Sequence, residues 1–193
     1  LEIVEGNTIQ DADGNKAEAQ KLNVDYESYY TRSYTSKVGI EVISSDNVKE
    51  SSLEIAASQI DHMLSAPGAK GIVDELVENG AALALYGPDE NAYFIPEHRN
   101  AWDPEMYYVE GYGGSMYNDC VSSIAEKNVI RVLEDPIEAN NTSYRNENIL
   151  IHEFGHSVKL CGMDMMEDQS LHDEFMALYN SRKRQGRWPN SYA

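Results

Sequence analysis

The sequence predicts an α+β domain, a mixed β-sheet packed by helices, one of which carries His152-Glu153-Phe154-Gly155-His156. Three observations lead there. Apolar and polar residues alternate over Val38 to Ser44, and an unbroken apolar run extends from Ala81 to Tyr86. These are the patterns of a half-buried and a fully buried strand. Over Asn47 to Ser65 the apolar residues recur instead at three- and four-residue intervals, which is the period of a helix with one buried face. The chain has 193 residues, enough for one domain with a real core.

Taken in order, residues 1–28 form a polar N-terminal segment without periodicity, and residues 29–193 hold the domain. Asp11-Ala12-Asp13-Gly14-Asn15 opens like a calcium loop, but its twelfth position is Leu22 where a bidentate Glu is required, so it reads as an Asp-Gly turn. Val38, Ile40 and Val42 then line one face of a strand. Leu53, Ala56, Ala57, Ile60, Met63 and Leu64 line the buried face of the first helix, with Asp46 or Asn47 as cap and Pro67-Gly68 as stop. A second helix is expected from Lys70 to Glu78, ended by Asn79-Gly80, followed by the buried strand at Ala81–Tyr86. Residues 87–114 carry Pro88, Pro96, Pro104 and several glycines and read mostly as loop. A short strand is expected at Asn128–Leu133, a helix from Ser143 or Asn146 to about Leu160, and a last helix from Ser170 to Arg184. Arg182, Lys183 and Arg184 suit the C-terminal end of that helix, where cations offset exposed carbonyls.

Charge excludes two classes of partner. The chain has 33 Asp+Glu against 15 Lys+Arg, a formal net charge of −18. Nucleic acid and anionic membrane surfaces both require clustered cations, so neither is an expected partner. The run Ala81–Tyr86 is far too short to span a bilayer. The chain starts at Leu1 without a signal-like segment, as a mature or trimmed product would. Asn140-Asn141-Thr142 and Asn141-Thr142-Ser143 are overlapping glycosylation sequons at Asn140 and Asn141, which point toward secretion. Two cysteines, Cys120 and Cys161, are too few for a disulfide scaffold.

The chemistry lies in H-E-x-x-H. Histidines four apart on a helix project from one face, so His152 and His156 can reach one zinc ion. Glu153 points beside the metal, where it can take a proton from a water that the metal polarises and pass it to a leaving amine. Only about one random chain of this composition in a hundred would carry the motif. Ile149, Leu150 and Ile151 place it on a buried helix, and Gly155 inside that helix implies close packing against another backbone.

A catalytic zinc needs a third protein ligand and one open position. Asp164, Glu167, Asp168, His172, Asp173 and Glu174 are the downstream candidates. Glu174 has a spacing close to that of thermolysin-like enzymes, but His172-Asp173-Glu174-Phe175-Met176 lacks their Asn-Glu-x-x-Ser-Asp context. The three-histidine arrangement of metzincins fails, because Lys159 stands where a glycine is required and Gly162 where the third histidine would be. His98 has no ligand spacing to the motif and reads as structural, and His62, on or near the apolar face of the first helix, reads as a packed or surface histidine.

With these residues in view, the chain resembles a group of secreted gluzincin-like zinc metallopeptidase domains, distantly similar to the anthrax toxin lethal factor catalytic domain. The resemblance runs from about Tyr29 to the end. It takes in Gly39-Ile40-Glu41-Val42, Pro96-Glu97-His98-Arg99, Gly111-Tyr112-Gly113-Gly114 and the segment Glu147 to His156. It closes on Phe175, Leu178, Tyr179, Trp188, Tyr192 and Ala193. It implies a zincin-like fold, secretion, zinc as cofactor and a peptide or protein as substrate. It further implies a zinc site on His152 and His156, Glu153 as general base and Tyr192 as a stabiliser of the oxyanion. The family's third ligand, a glutamate, would fall about seven residues beyond Tyr192, so the sequence reads as part of a longer chain. The resemblance also suggests a Cys120–Cys161 bridge, worth about 4 kcal/mol in the chain-entropy model, with two buried thiols as the alternative. A zincin-fold protein of an extracellular assembly, structural and inactive, is the competing reading.

Overall fold

Strands β1 (Arg32–Thr35), β2 (Glu41–Ser44), β3 (Ala82–Tyr86), β4 (Gly111–Tyr112) and β5 (Val121–Ala125) form one mixed sheet in the order β1-β2-β3-β5-β4. They belong to a computed structural model that describes residues 29–99, 104–130 and 147–186. β2, β3 and β5 run parallel, while β1 and β4 are antiparallel to their neighbours at the two edges. The connection from β2 to β3 is made by α1 (Glu50–Met63) and α2 (Lys70–Glu78), as parallel pairing requires. Three further helices are α3 (Glu126–Ile130), α4 (Ile149–Ser157) and α5 (Ser170–Arg184).

The central strand β3 is buried at every position because both faces of the sheet are covered. Leu83 and Leu85 point into a core shared with Leu53, Ile60, Leu76 and Phe154 of the helices. Ala82, Ala84 and Tyr86 point the other way, toward Ala92, Ile95, Met106 and a layer of tyrosines that includes Tyr30 and Tyr93.

Several expectations are corrected. The strand expected over Val38–Ser44 begins at Glu41, since residues 36–40 form the turn back to β1. Gly39 adopts φ +94° there, and the Gly39 amide donates to the Ser36 carbonyl at 3.0 Å. Of the strand expected at Asn128–Leu133, residues 128–130 are helical and residues 131–133 lie outside the described residues, while a strand that was not expected runs over Val121–Ala125. Its serines conceal it: Ser122 and Ser123 are fully buried yet hydrogen-bonded, to the Glu153 carbonyl (2.8 Å) and to His98 Nδ1 (3.3 Å). The first helix is not capped by Asp46 or Asn47. Its N-cap is Lys49, and the buried Glu126 carboxylate accepts from the Lys49 amide at 2.8 Å and the Ser52 hydroxyl at 2.7 Å. A carboxylate at a helix N-terminus is favoured by the dipole as well as by the free amides.

The Asp11–Asn15 turn, the sequons at Asn140 and Asn141, and Tyr192 lie outside the described residues.

Candidate metal centre

Helix α4 begins where Asn148 Oδ1 accepts from the Ile151 amide at 3.2 Å, while Asn148 Nδ2 donates to Gln59 Oε1 of α1 at 3.0 Å. Its start is therefore fixed to the body of the protein. Ile149, Leu150 and Phe154 are buried in the helix-side core, and Ile151 is half exposed. His152, Glu153 and His156 consequently share the opposite face, with the imidazole centroids 5.3 Å apart. One donor atom from each of the three lies within 4.8 Å of the others. The α-helix ends at Ser157 rather than near Leu160 and widens into a π-helical turn, Val158–Gly162. Two contacts hold that turn: a disulfide from Cys161 to Cys120 with Cα atoms 6.0 Å apart, and Gly162 seated on Ile72 and Leu76 of α2.

The close backbone approach expected at Gly155 occurs elsewhere. A Cβ added at Gly155 meets nothing within 4 Å among the described residues. The tight contact comes from β4 and the two glycines after it. A Cβ at Gly111 would lie 2.6 Å from Glu153 Cγ, and one at Gly113 would lie 2.6 Å from His156 Cδ2. At Gly114 it would meet the Ser157 hydroxyl at 2.1 Å. The Gly-x-Gly-Gly spacing thus lets an edge strand lie directly on the histidine face of α4. Ser122 locks the pair together, accepting from the Gly114 amide at 2.9 Å, donating to the Glu153 carbonyl and standing 2.8 Å from the Ser157 hydroxyl. The resulting cleft, of about 310 Å³, is lined by Gly111 to Ser115, Glu147, His152, Glu153 and His156.

Electrostatics suit a cation. Glu147 Oε1 sits 2.5 Å from His152 Nδ1, so the carboxylate orients the ring. Burial, together with the neighbouring His152, lowers the His156 pKa and keeps that imidazole neutral, the form that ligates. Two imidazoles on one helix face, one braced by a carboxylate and beside an open cleft, fit a zinc ion. Glu147→Gln is expected to weaken zinc binding by about 10- to 100-fold, read from competition with a chromophoric chelator.

Burial pushes the Glu153 carboxyl up to about 7; His152 opposes this and Glu147 adds to it. Its folded value exceeds its ordinary one, so its contribution to stability is complete below the ordinary value and lost as pH rises through about 7. Metal-free wild type should therefore lose roughly 2–3 kcal/mol relative to Glu153→Gln between about pH 5 and pH 8. Thermal unfolding of the two proteins across that range should diverge by roughly 4–10 °C.

None of the downstream ligand candidates joins the group of three. Asp164 is engaged by Lys159 and by His172 Nδ1 at 2.7 Å, and Glu174 is exposed on α5. His62 is exposed, whereas His98 is fully buried, its Nε2 donating to the Val121 carbonyl at 2.9 Å. Burial holds the His98 ring neutral, so it is a packed structural histidine as expected. Glu147, Ser122 and the glycine edge were not assigned roles from sequence. Only the position of Glu147 just ahead of the helix, five residues before His152, and the repeated glycines could have signalled them. Comparison with protein-family models, with curated proteins and with solved structures returns no match to this chain.

Proposed function

We propose that the protein is a zinc-dependent metallopeptidase of zincin-like fold, secreted, in which His152 and His156 hold the metal and Glu153 is the general base. The observation that carries this reading is the grouping of His152, Glu153 and His156 on one helix face, opening into a cleft beside the edge strand β4. Zinc, when bound, would supply Lewis acidity to a water and to the scissile carbonyl. The chain's own residues supply the rest. The Glu153 carboxyl, with a value near neutral in the metal-free chain, is suited to accept a proton and return it to the departing amine. Glu147 holds the His152 ring in place.

The substrate's place follows from β4. It is the terminal strand, so one of its edges pairs with no strand among the described residues, and Gly111 and Gly113 bring that edge to the histidine face. An extended peptide added there by backbone pairing would run past Glu153. The Cys120–Cys161 disulfide supports secretion, since such bonds persist in oxidising compartments.

One observation favours the second reading, an inactive zincin-fold binding or structural protein: among the described residues no ligand besides Glu153, the assigned base, accompanies the two histidines. A peptide-library digest separates the two. Cleavage that a chelator abolishes and stoichiometric zinc restores supports the peptidase; zinc-loaded protein that cleaves nothing supports the binding protein.

A further inference from the structure

A second cavity, of about 360 Å³, opens where β2, β3 and β5 end, the edge of a parallel sheet at which successive loops diverge. It adjoins the metal cleft: Val109 lines both, and it stands two residues before Gly111, the residue seated on Glu153. Val109 and Glu110 form the loop that leads into β4, so the cavity begins where that strand starts. A chain lying on β4 would therefore carry a side chain into this cavity a few residues from the bond at Glu153.

The cavity wall is amphipathic. Tyr86, Tyr107 and Tyr108 form an aromatic side, and the last two are 62% and 87% exposed. Three carboxylates, Glu90, Glu110 and Glu126, face two lysines, Lys49 and Lys127. Lys127 is committed to Glu110 at 2.7 Å. Glu90 is held by neutral donors, the Gly87 amide at 2.6 Å, Asn47 Nδ2 at 2.9 Å and the Ser45 hydroxyl at 3.1 Å. Glu126 is likewise held by the Lys49 amide and the Ser52 hydroxyl. Neither carboxylate has a cationic side chain as partner among the described residues. A protein of net charge −18 deepens the negative potential.

Resting on the peptidase reading, we propose that this cavity is a specificity pocket of the substrate groove that takes a lysine or arginine side chain. The aliphatic stem would lie against the tyrosines and Val109, and the cationic head would reach Glu90 and the aromatic faces.

The test is binding of fluorescent extended peptides to zinc-loaded Glu153→Gln protein, read by anisotropy, with Lys, Arg, Leu, Phe and Glu scanned at each position. One position should prefer Lys or Arg over Leu by about tenfold. Glu90→Gln and Tyr108→Ala, each added to that background, should reduce the preference at that position by about threefold or more and leave other positions unchanged. Tyr108 is so exposed that its truncation leaves the fold intact, which thermal unfolding verifies. No basic preference at any position, a preference retained in both variants, or a preference for Phe or Leu would overturn the proposal. Binding is read without turnover, so a wild-type protein that hydrolyses nothing would defeat the peptidase reading while leaving this result to stand or fall alone.

Discussion

Glu153→Gln is expected to lower peptide hydrolysis by roughly 10²- to 10⁴-fold while zinc stays bound with nearly unchanged affinity. The expectation rests on where the side chain stands. Glu153 shares the donor cluster with the two histidines, but its Cγ is wedged against Gly111, the strand that would carry the substrate. It would therefore stand beside both a metal on the histidines and a peptide laid on β4. Glutamine preserves the volume and the packing against Gly111 and removes only the ability to accept a proton. Removing a ligand would give a different pattern: His156→Ala should abolish activity and zinc binding together. Steady-state rates combined with zinc content per chain distinguish the two. Equal activity in wild type and Glu153→Gln would rule out the assigned base.

The second large effect concerns Cys120 and Cys161. Replacing both by alanine is expected to cost about 4 kcal/mol, since the bridge closes a loop across 41 residues and both side chains are buried. For a chain of this size that is a fall of roughly 8–16 °C in thermal midpoint. The bond also bears on the site. Cys161 follows His156 by little more than one turn, and Cys120 adopts φ +60° immediately before β5, next to Asp119 at φ +52°. Left-handed backbone at two successive non-glycine residues is unfavourable and needs its surroundings to hold it. The Cys120 carbonyl in turn accepts from the Ser157 hydroxyl at 3.3 Å. Loss of the bridge should therefore weaken zinc binding as well as stability. A midpoint within about 2 °C of wild type would show that packing alone holds this corner.

Much of the fold was legible because a single period governed each segment. The helix at Lys70–Glu78 has the expected bounds, α5 spans Ser170–Arg184, and β3 starts one residue after the apolar run does. The histidine face of α4 was legible because a four-residue spacing fixes it locally. What stayed hidden depends on residues distant in sequence. β1 is a polar, largely exposed edge strand with no apolar alternation to mark it. β5 carries buried serines whose partners sit on α4 and on His98. The cap of α1 comes from Glu126, 77 positions from the amide it receives. Gly155 was credited with a close contact that belongs to Gly111, Gly113 and Gly114, because a glycine in sequence does not show which backbone approaches it.

The claim on which everything else rests is that the open face of α4 is a zinc centre. X-ray diffraction from zinc-soaked crystals of the full chain, recorded on both sides of the zinc absorption edge, tests it most directly. The account predicts one strong anomalous peak within bonding distance of His152 Nε2 and of a His156 ring nitrogen, beside the Glu153 carboxylate, and no such peak for His156→Ala. Zinc bound elsewhere, or a His152–His156 pair left without metal at saturating zinc, would contradict it.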